Sequence, residues 1–301
     1  MIDLCGGCGS DGVSISIDCA DSFARIGVSK LHWECWSECN LHCGFCYRTE
    51  EVPLGREGGM ELLDICRSSG AKTIVFAGGD PSLREDLPQL IDHAHTVGLA
   101  VELQSNFQVF KNEIKERISN GRVALSGVSM DASTPLAHDL FRSTKGNFKA
   151  VLAALDFHEE VGSPVIVRTM VSSQNYTEVS AIAKILSPYN VIRRWSLLEF
   201  TPVGRGFANK GDYELRRREF DLAARVALDS YTGPGEVDIY RAENKSGTYG
   251  LITAAGNLYG FSGKTEGGQH LTVGSMVFDH LSVLASRLPF SREQHGARYG
   301  A

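Results

Sequence analysis

The sequence lacks the features that would mark it as a membrane, secreted or nucleic-acid-binding protein. No uninterrupted apolar run reaches the roughly 18 residues that a membrane-spanning helix needs, so we predict no membrane segment. The first residues, MIDLCGGCGSDG, have neither the basic start nor the apolar core of a secretory signal, which predicts a cytoplasmic protein. The formal net charge is -6 and the basic runs 193–194 and 216–218 are short, so no nucleic-acid partner is expected.

Cysteine is also scarce, because the 301 residues contain eight and none follows Cys66. In a reducing cytoplasm such residues serve as ligands or reactive thiols rather than as disulfides. Three of them, Cys39, Cys43 and Cys46, lie together in the segment CNLHCGFCYR. A sequence with this cysteine content would contain about 0.006 matches to the spacing by chance, so the spacing indicates a site. Cys66 lies in an amphipathic stretch and is predicted to be a buried apolar residue.

From about residue 28, short apolar runs alternate with longer amphipathic stretches, which is the pattern of strand and helix units around a parallel sheet. The predicted strands are 28–34, 72–77, 99–105, 123–130, 164–171 and 194–200. Because these runs read as apolar on both faces, we expect helices to cover the sheet. The handedness of such units then predicts a wound α/β fold, open or barrel-like.

The chain is predicted to have three parts. Residues 28–232 form the α/β unit, and residues 1–27 are a Gly-, Ser- and Cys-rich extension without a clear period. Residues 233–301 are predicted to form a small α+β appendage, in which TYGLITAAGNLYGFSG gives two short strands around a turn. A last helix is predicted near Val277 to Arg287.

The loop of three cysteines directly follows the first predicted strand, and ligands in such folds bind at the carboxyl ends of the parallel strands. A structural zinc site would need a fourth ligand, and His42 is poorly placed to bind the same ion as the adjacent Cys43. A 4Fe-4S cluster held by Cys39, Cys43 and Cys46 would instead leave one iron free for a substrate or cofactor. The same C-x3-C-x2-C spacing begun at Cys35 would need a cysteine at position 42, where the chain has His42.

A C-x3-C-x-aromatic-C loop with Phe45 in the aromatic slot resembles that of the radical S-adenosylmethionine (radical SAM) superfamily. FAGGDPSLRED resembles the Gly-Gly-Glu motif of this family, with Asp80 in place of Glu, and QSN is similar to its Thr-Asn-Gly. SMDASTPLAHDLFRSTKGNF, VIVRTMVSSQN and WSLLEFTPVGRG resemble stretches of members related to molybdenum-cofactor synthases and SPASM-type peptide-maturing enzymes. The resemblance covers residues 28 to about 206 and implies a partial (β/α)6 TIM-like barrel.

The resemblance implies two cofactors, a 4Fe-4S cluster and SAM, and a flavodoxin- or ferredoxin-type electron donor. The open iron would bind the amino and carboxylate groups of SAM, and one electron would cleave SAM to a 5′-deoxyadenosyl radical that abstracts a substrate hydrogen. The matching positions are Gly78, Gly79 and Asp80 for the SAM ammonium, Phe45 for adenine, Ser105 and Asn106 for ribose, and Ser129 and Arg142 for the carboxylate. Arg168, in the middle of a predicted strand, either points into the barrel or extends its charge to solvent.

The two ends of the chain raise the question of further metal sites. The C-terminal appendage resembles a reduced form of the domain that carries auxiliary clusters in relatives, but it has no cysteine. At the other end, Cys5, Cys8, Cys19 and Cys35 are a candidate second site for a cluster or zinc, although only Cys5 and Cys8 have ligand-like spacing.

Three functions compete on this evidence. We favour a radical SAM enzyme that abstracts hydrogen from a small polar metabolite, such as a sugar, aminocyclitol or nucleoside, in a biosynthetic pathway. The absence of auxiliary-cluster cysteines and of an added peptide-recognition domain supports it. The alternative enzyme is a maturase of a ribosomally made peptide, which predicts binding of a leader segment. A non-catalytic Fe-S or zinc scaffold is the third, and the intact cysteine loop and Gly78-Gly79 argue against it.

Overall fold

The computed structural model describes residues 21–244, 250–260, 271–277, 279 and 281–299, and in these ranges the chain forms ten strands, twelve α-helices and three short 3-10 helices. The strands are β1 (Lys30–Trp36), β2 (Thr73–Gly78), β3 (Ala100–Gln104), β4 (Leu125–Ser129), β5 (Val165–Val171), β6 (Ile192–Glu199), β7 (Glu236–Tyr240), β8 (Gly250–Ile252), β9 (Asn257–Gly260) and β10 (Leu271–Ser275). The helices are α1 (Ser22–Ile26), α2 (Arg56–Ser68), α3 (Leu87–Thr96), α4 (Asn112–Ser119), α5 (Pro135–Phe141), α6 (Asn147–Val161), α7 (Val179–Leu186), α8 (Arg205–Ala208), α9 (Lys210–Tyr213), α10 (Arg217–Ser230), α11 (Leu281–Arg287) and α12 (Arg292–Tyr299).

All ten strands belong to one sheet in the order β10-β9-β8-β1-β2-β3-β4-β5-β6-β7. Strands β1 to β7 are parallel, each pairing with the next, and β8 adds to the free edge of β1 in the same direction. Strands β9 and β10 continue the sheet in antiparallel pairs. Among the described residues β7 and β10 do not pair, so the barrel-like sheet is open. The predicted α/β partial barrel is confirmed.

The six predicted strands lie within two residues of their predicted bounds. The helices pack on the outer face through apolar stripes at helical spacing, as in α7, where Val179, Ile182, Ala183 and Leu186 are all buried. The inner face differs from the prediction of strands apolar on both sides. It carries Lys30, His32 and Arg168 among others, because alternate residues of a strand point to opposite faces and the interior of this barrel is a polar cavity.

The predicted C-terminal hairpin is present as β8 and β9, which join the main sheet, and the last predicted helix corresponds to α11. The division into three parts stays a prediction. Among the elements that were not predicted are β7, a seventh parallel strand whose residues are mostly half-buried, and the short helix α5. No helix in the described ranges is long and apolar enough to cross a membrane.

Candidate active site

One cavity of about 280 Å³ lies at the carboxyl ends of the parallel strands and continues into the barrel interior. Of the eleven residues predicted to contact the cluster or SAM, ten line this cavity. Asp80 is the exception. The cavity therefore brings together residues from the ends of β1, β2, β3 and β4 that the sequence separates by about a hundred positions.

The three thiols of the loop after β1 face the same cavity, and none is in a disulfide. Burial raises the pKa of Cys43 to about 12 and also raises the pKa of Cys39 above its ordinary value. At neutral pH Cys39 and Cys43 therefore keep their protons in the metal-free protein, and metal binding would release them. The backbone N–H of Leu41 donates to Cys39 Sγ at 3.4 Å, and Asn106 Nδ2 lies 3.6 Å from the same sulfur. Such donors stabilise a bound thiolate.

The three cysteines that line the cavity are the donor type that a 4Fe-4S cluster takes. In the part of the chain that the structure describes, no three His, Cys, Asp or Glu side chains converge closely enough to hold one metal ion. A structural zinc needs ligand atoms within about 2.0–2.3 Å of one point. A 4Fe-4S cluster takes each thiolate on a different iron, so its ligands stand apart around a common centre. The donor set thus fits a three-cysteine cluster.

Gly78 and Gly79 end β2 where it passes against the start of the cysteine loop. The Gly79 N–H donates to the Trp36 carbonyl at 2.6 Å, and a Cβ at position 79 would overlap the Glu38 carbonyl oxygen. Gly78 has a φ of 128°, a conformation that favours glycine. Both glycines also line the cavity, as their predicted contact with SAM requires. The close approach of these two backbones at the start of the cysteine loop is therefore a second reason for glycine at positions 78 and 79.

Asp80 does not have the position expected for a ligand of the SAM ammonium. Its carboxylate is buried and accepts hydrogen bonds from the Ser82 N–H and hydroxyl, from Ser105 Oγ at 3.0 Å and from the Asn106 N–H at 2.7 Å. All of its acceptor capacity is thus used by protein donors, and burial raises its pKa. Asp80 joins the end of β2 to the end of β3.

Ser105 and Asn106 line the cavity, but their side chains are tied into the same network. Ser105 Oγ donates to Asp80 and accepts from the Phe107 N–H at 2.9 Å. The Asn106 amide donates to Asn40 Oδ1 at 2.8 Å and accepts from the Gln108 N–H at 2.8 Å. In this structure these side chains support the cysteine loop, and their predicted contact with ribose stays a prediction.

Arg142 follows α5, which begins at Pro135 with the Thr134 side chain as its cap. The Arg142 Nε donates to Asp131 Oδ2 at 2.6 Å, and the other Asp131 oxygen accepts from the Met170 N–H at 2.8 Å. Asp131 was absent from the predicted site, although it belongs to the SMDAST stretch two residues after Ser129. It fixes the guanidinium at the cavity wall, beside Cys43.

Phe45 lies in an aromatic cluster that the sequence analysis missed. Its ring centroid is 4.8 Å from that of Phe141 and 5.8 Å from that of Tyr213, and the Arg142 guanidinium lies 5.6 Å from it. Phe141 could have been found as the neighbour of Arg142, but Tyr213 carries no motif. These contacts hold the Phe45 ring in place while the residue still lines the cavity.

Of the candidate second metal site, Cys5, Cys8 and Cys19 lie outside the described residues. Cys35 is on β1 and is fully buried in the hydrophobic core, where burial raises its pKa to about 12. Its carbonyl oxygen accepts from Arg84 Nη1 at 2.7 Å. The second metal site stays a prediction. Cys66 is fully buried in α2, in the environment expected for an apolar residue.

The model of the radical SAM superfamily matches residues 33–186, about half of the chain. The chain belongs to the radical SAM superfamily. Enzymes of this superfamily use a 4Fe-4S cluster and SAM, so both are cofactors of this protein.

Two curated relatives from Methanosarcina barkeri are named as tetrapyrrole enzymes. The chain is 31% identical over 176 residues to its Fe-coproporphyrin III synthase, a match that covers 57% of this chain and 44% of that protein. The chain is 25% identical over 249 residues to the AdoMet-dependent heme synthase of the same organism, a match that covers 79% of this chain and 70% of that protein. The chain spans only about half of the length of several curated relatives that it matches, the Fe-coproporphyrin III synthase among them.

Among solved structures, Streptococcus suis SuiB bound to S-adenosylmethionine aligns with a TM-score of 0.67 and 14% identity. The alignment covers 91% of this chain and 68% of that one. At this identity the likeness establishes the fold, including the strands that follow the family match.

Proposed function

We propose that Cys39, Cys43 and Cys46 hold the 4Fe-4S cluster and that SAM and a small polar substrate share the cavity beside them. The observation that carries the proposal is that the three thiols and the polar barrel interior line one cavity. When bound, the cluster supplies the electron that cleaves SAM to the radical that abstracts a substrate hydrogen. We infer a flavodoxin- or ferredoxin-type protein as the source of this electron.

The residues of the chain bind and orient the cofactor. Arg142 uses Nε for Asp131, which leaves its two terminal nitrogens for the SAM carboxylate, with Ser129 beside it. We assign the Phe45 face to adenine and the backbone of Gly78 and Gly79 to the amino end. These groups are fixed before SAM binds, which lowers the entropy cost of binding.

The substrate space lies deeper in the barrel. The cavity has a volume of about 280 Å³, and we assign its deeper part to a sugar, aminocyclitol or nucleoside. Its walls combine the apolar side chains of Ile166 and Leu198 with the hydrogen-bonding groups of Gln104 and Ser196. Mixed walls of this kind bind small polar molecules.

The test is anaerobic reconstitution with iron and sulfide, reduction with dithionite and measurement of 5′-deoxyadenosine formed from SAM. The wild type should form it, Cys43→Ala should not, and Cys66→Ala should behave as the wild type because Cys66 lies outside the cavity. A wild type that holds zinc and forms no deoxyadenosine would overturn the proposal, as would an active Cys43→Ala. Deuterated candidate substrates then identify the substrate, because only the true one transfers label into deoxyadenosine.

A second candidate substrate is a tetrapyrrole, favoured by the names of the two Methanosarcina barkeri relatives. Fe-coproporphyrin III should then bind to the reconstituted protein and shift its absorption spectrum, whereas a small-metabolite enzyme should leave the spectrum unchanged. Label transfer from a deuterated peptide, with no transfer from metabolites, would support the peptide maturase instead.

A further inference from the structure

Four charged side chains project from alternate strand positions into the barrel interior below the cysteine loop: Lys30, Glu102, Arg168 and Arg194. Two of the three cations have carboxylate partners. Lys30 Nζ lies 2.6 Å from Glu102 Oε1, and Arg194 Nε lies 2.7 Å from Asp238 Oδ2. Burial lowers the pKa of Lys30 against the opposing effect of Glu102, and Arg168 and Arg194 lower it further, so the three cations lie within electrostatic reach of one another.

Arg168 is the cation without a carboxylate. Within the described residues its guanidinium makes no ion pair or hydrogen bond to the protein, although it is half-buried and lines the cavity. The neighbouring strand makes room for it, because a Cβ on Gly127 would overlap Arg168 Nη1. The guanidinium thus lies across β4 with its donors directed at the cavity space rather than at protein acceptors.

An unpaired guanidinium inside a barrel is costly, because desolvation of a charge is repaid only by a partner of opposite sign. Of the four cations in the lining, Arg142 pairs with Asp131, Lys30 with Glu102 and Arg194 with Asp238, which leaves Arg168 in excess. An anion in the cavity would complete the balance. A guanidinium binds carboxylates and phosphates through two parallel hydrogen bonds, so either group fits.

We propose that Arg168 binds an acidic group of the substrate, a carboxylate or a phosphate, and that the substrate is therefore an anion. This inference rests on the proposed function only in placing the substrate in the same cavity as SAM. Among small polar metabolites it favours acidic ones, such as sugar acids, amino acids or nucleotides, over neutral sugars, aminocyclitols and nucleosides. The carboxylates of a tetrapyrrole also satisfy it.

The test measures anion binding separately from SAM cleavage. The cluster-loaded protein, with SAM present to occupy Arg142, is titrated by calorimetry with inorganic phosphate and, in a second series, with succinate. The wild type should bind at least one of them saturably, and Arg168→Gln should weaken that binding about tenfold or more. Arg168→Lys keeps the charge but loses the paired N–H donors of the guanidinium. Its anion affinity should therefore lie between those of the wild type and Arg168→Gln.

Arg193→Gln is the matched control, since it removes an exposed arginine of the same sheet and should bind as the wild type. Gly127→Ala keeps Arg168 but fills its space, and it should weaken anion binding as well. Preference for phosphate over succinate would indicate a phosphorylated substrate, and the reverse a carboxylic acid.

The outcomes separate the two proposals. If the wild type binds neither anion, or Arg168→Gln binds as tightly as the wild type, the anion site is wrong even when deoxyadenosine is formed. If Arg168→Gln loses the anion but the wild type forms no deoxyadenosine, the anion site stands and the proposed function fails.

Discussion

His158 gives the sharpest quantitative prediction of this structure. It lies in α6, fully buried beside the rings of Phe107, Phe110 and Phe157. Neither ring nitrogen has a hydrogen-bond partner among the described residues. Burial lowers the pKa of His158 from its ordinary 6.5 to about 4. The Ser163 backbone has an opposing effect that raises this pKa, but it is the smaller of the two and Ser163 makes no hydrogen bond to the ring.

The sign of the pH effect follows from this depressed value. The folded state disfavours the protonated ring, so the contribution to stability is complete above pH 6.5 and is lost as the pH falls toward 4. A pKa difference of this size corresponds to about 3 kcal/mol in total, of which about 2 kcal/mol is lost between about pH 7 and about pH 5.

The measurement is urea unfolding followed by circular dichroism under anaerobic conditions at both pH values. His158→Leu should abolish about 2 kcal/mol of the pH-dependent loss. At neutral pH it should be at least as stable as the wild type, because it removes two unpaired buried nitrogens. His95→Leu, at an exposed position of α3, should keep the wild-type loss. Equal losses in the wild type and His158→Leu would refute the reasoning.

Three further predictions concern the supports of the site. Gly79→Ala should reduce the iron bound after reconstitution, because its Cβ overlaps the Glu38 carbonyl. The control Gly211→Ala, whose Cβ has no atom within 4 Å, should bind iron as the wild type. Equal iron contents in the two variants would contradict a role of Gly79 in supporting the cysteine loop. Asp80→Ala leaves the Asn106 and Ser82 N–H groups without acceptors and should lower the free energy of unfolding by about 2 kcal/mol or more, as measured in urea, with Asp80→Asn less affected. A neutral Asp80→Ala would show that the network is dispensable. Glu34 accepts hydrogen bonds from Tyr259 Oη at 2.7 Å and Thr49 Oγ1 at 2.6 Å, and burial raises its pKa. Because the folded state then holds the proton more tightly than the unfolded state, the free energy of unfolding should fall as the pH rises above about 4.5. Glu34→Gln should remove that slope in the urea midpoint, and the exposed control Glu85→Gln should retain it.

The local part of this fold was predictable. Each of the six strands combines a β-rich apolar run with flanking turn residues, and their bounds follow from that pattern. The cysteine loop was predictable because its three cysteines lie within eight positions. The half-buried β7 has the composition of a mixed surface segment, and so it left no comparable signal.

The distant contacts of the site were not predictable. Asp80 reads as a carboxylate free for a ligand, but the register of β2 beside β3 brings Ser105 and Asn106 to it as donors. Tyr213 reaches Phe45 only because the chain after β6 returns over the cysteine loop. The polar inner face of the sheet was not predicted either. Single polar residues such as Arg168 are surrounded in the sequence by apolar ones, so the segment still reads as an apolar strand.

The position of β8 beside β1 has a consequence for the order in which the protein is made. Leu31 pairs with Gly250, so the strand that leads into the cysteine loop gains its second neighbour only after β8, more than 200 residues later, has left the ribosome. Contacts of such long sequence separation form late in folding. Until then the edge of β1 is open and the Glu34 carboxylate lacks Tyr259. Cluster insertion should therefore follow the synthesis of β8, when the loop first rests on a strand paired on both sides.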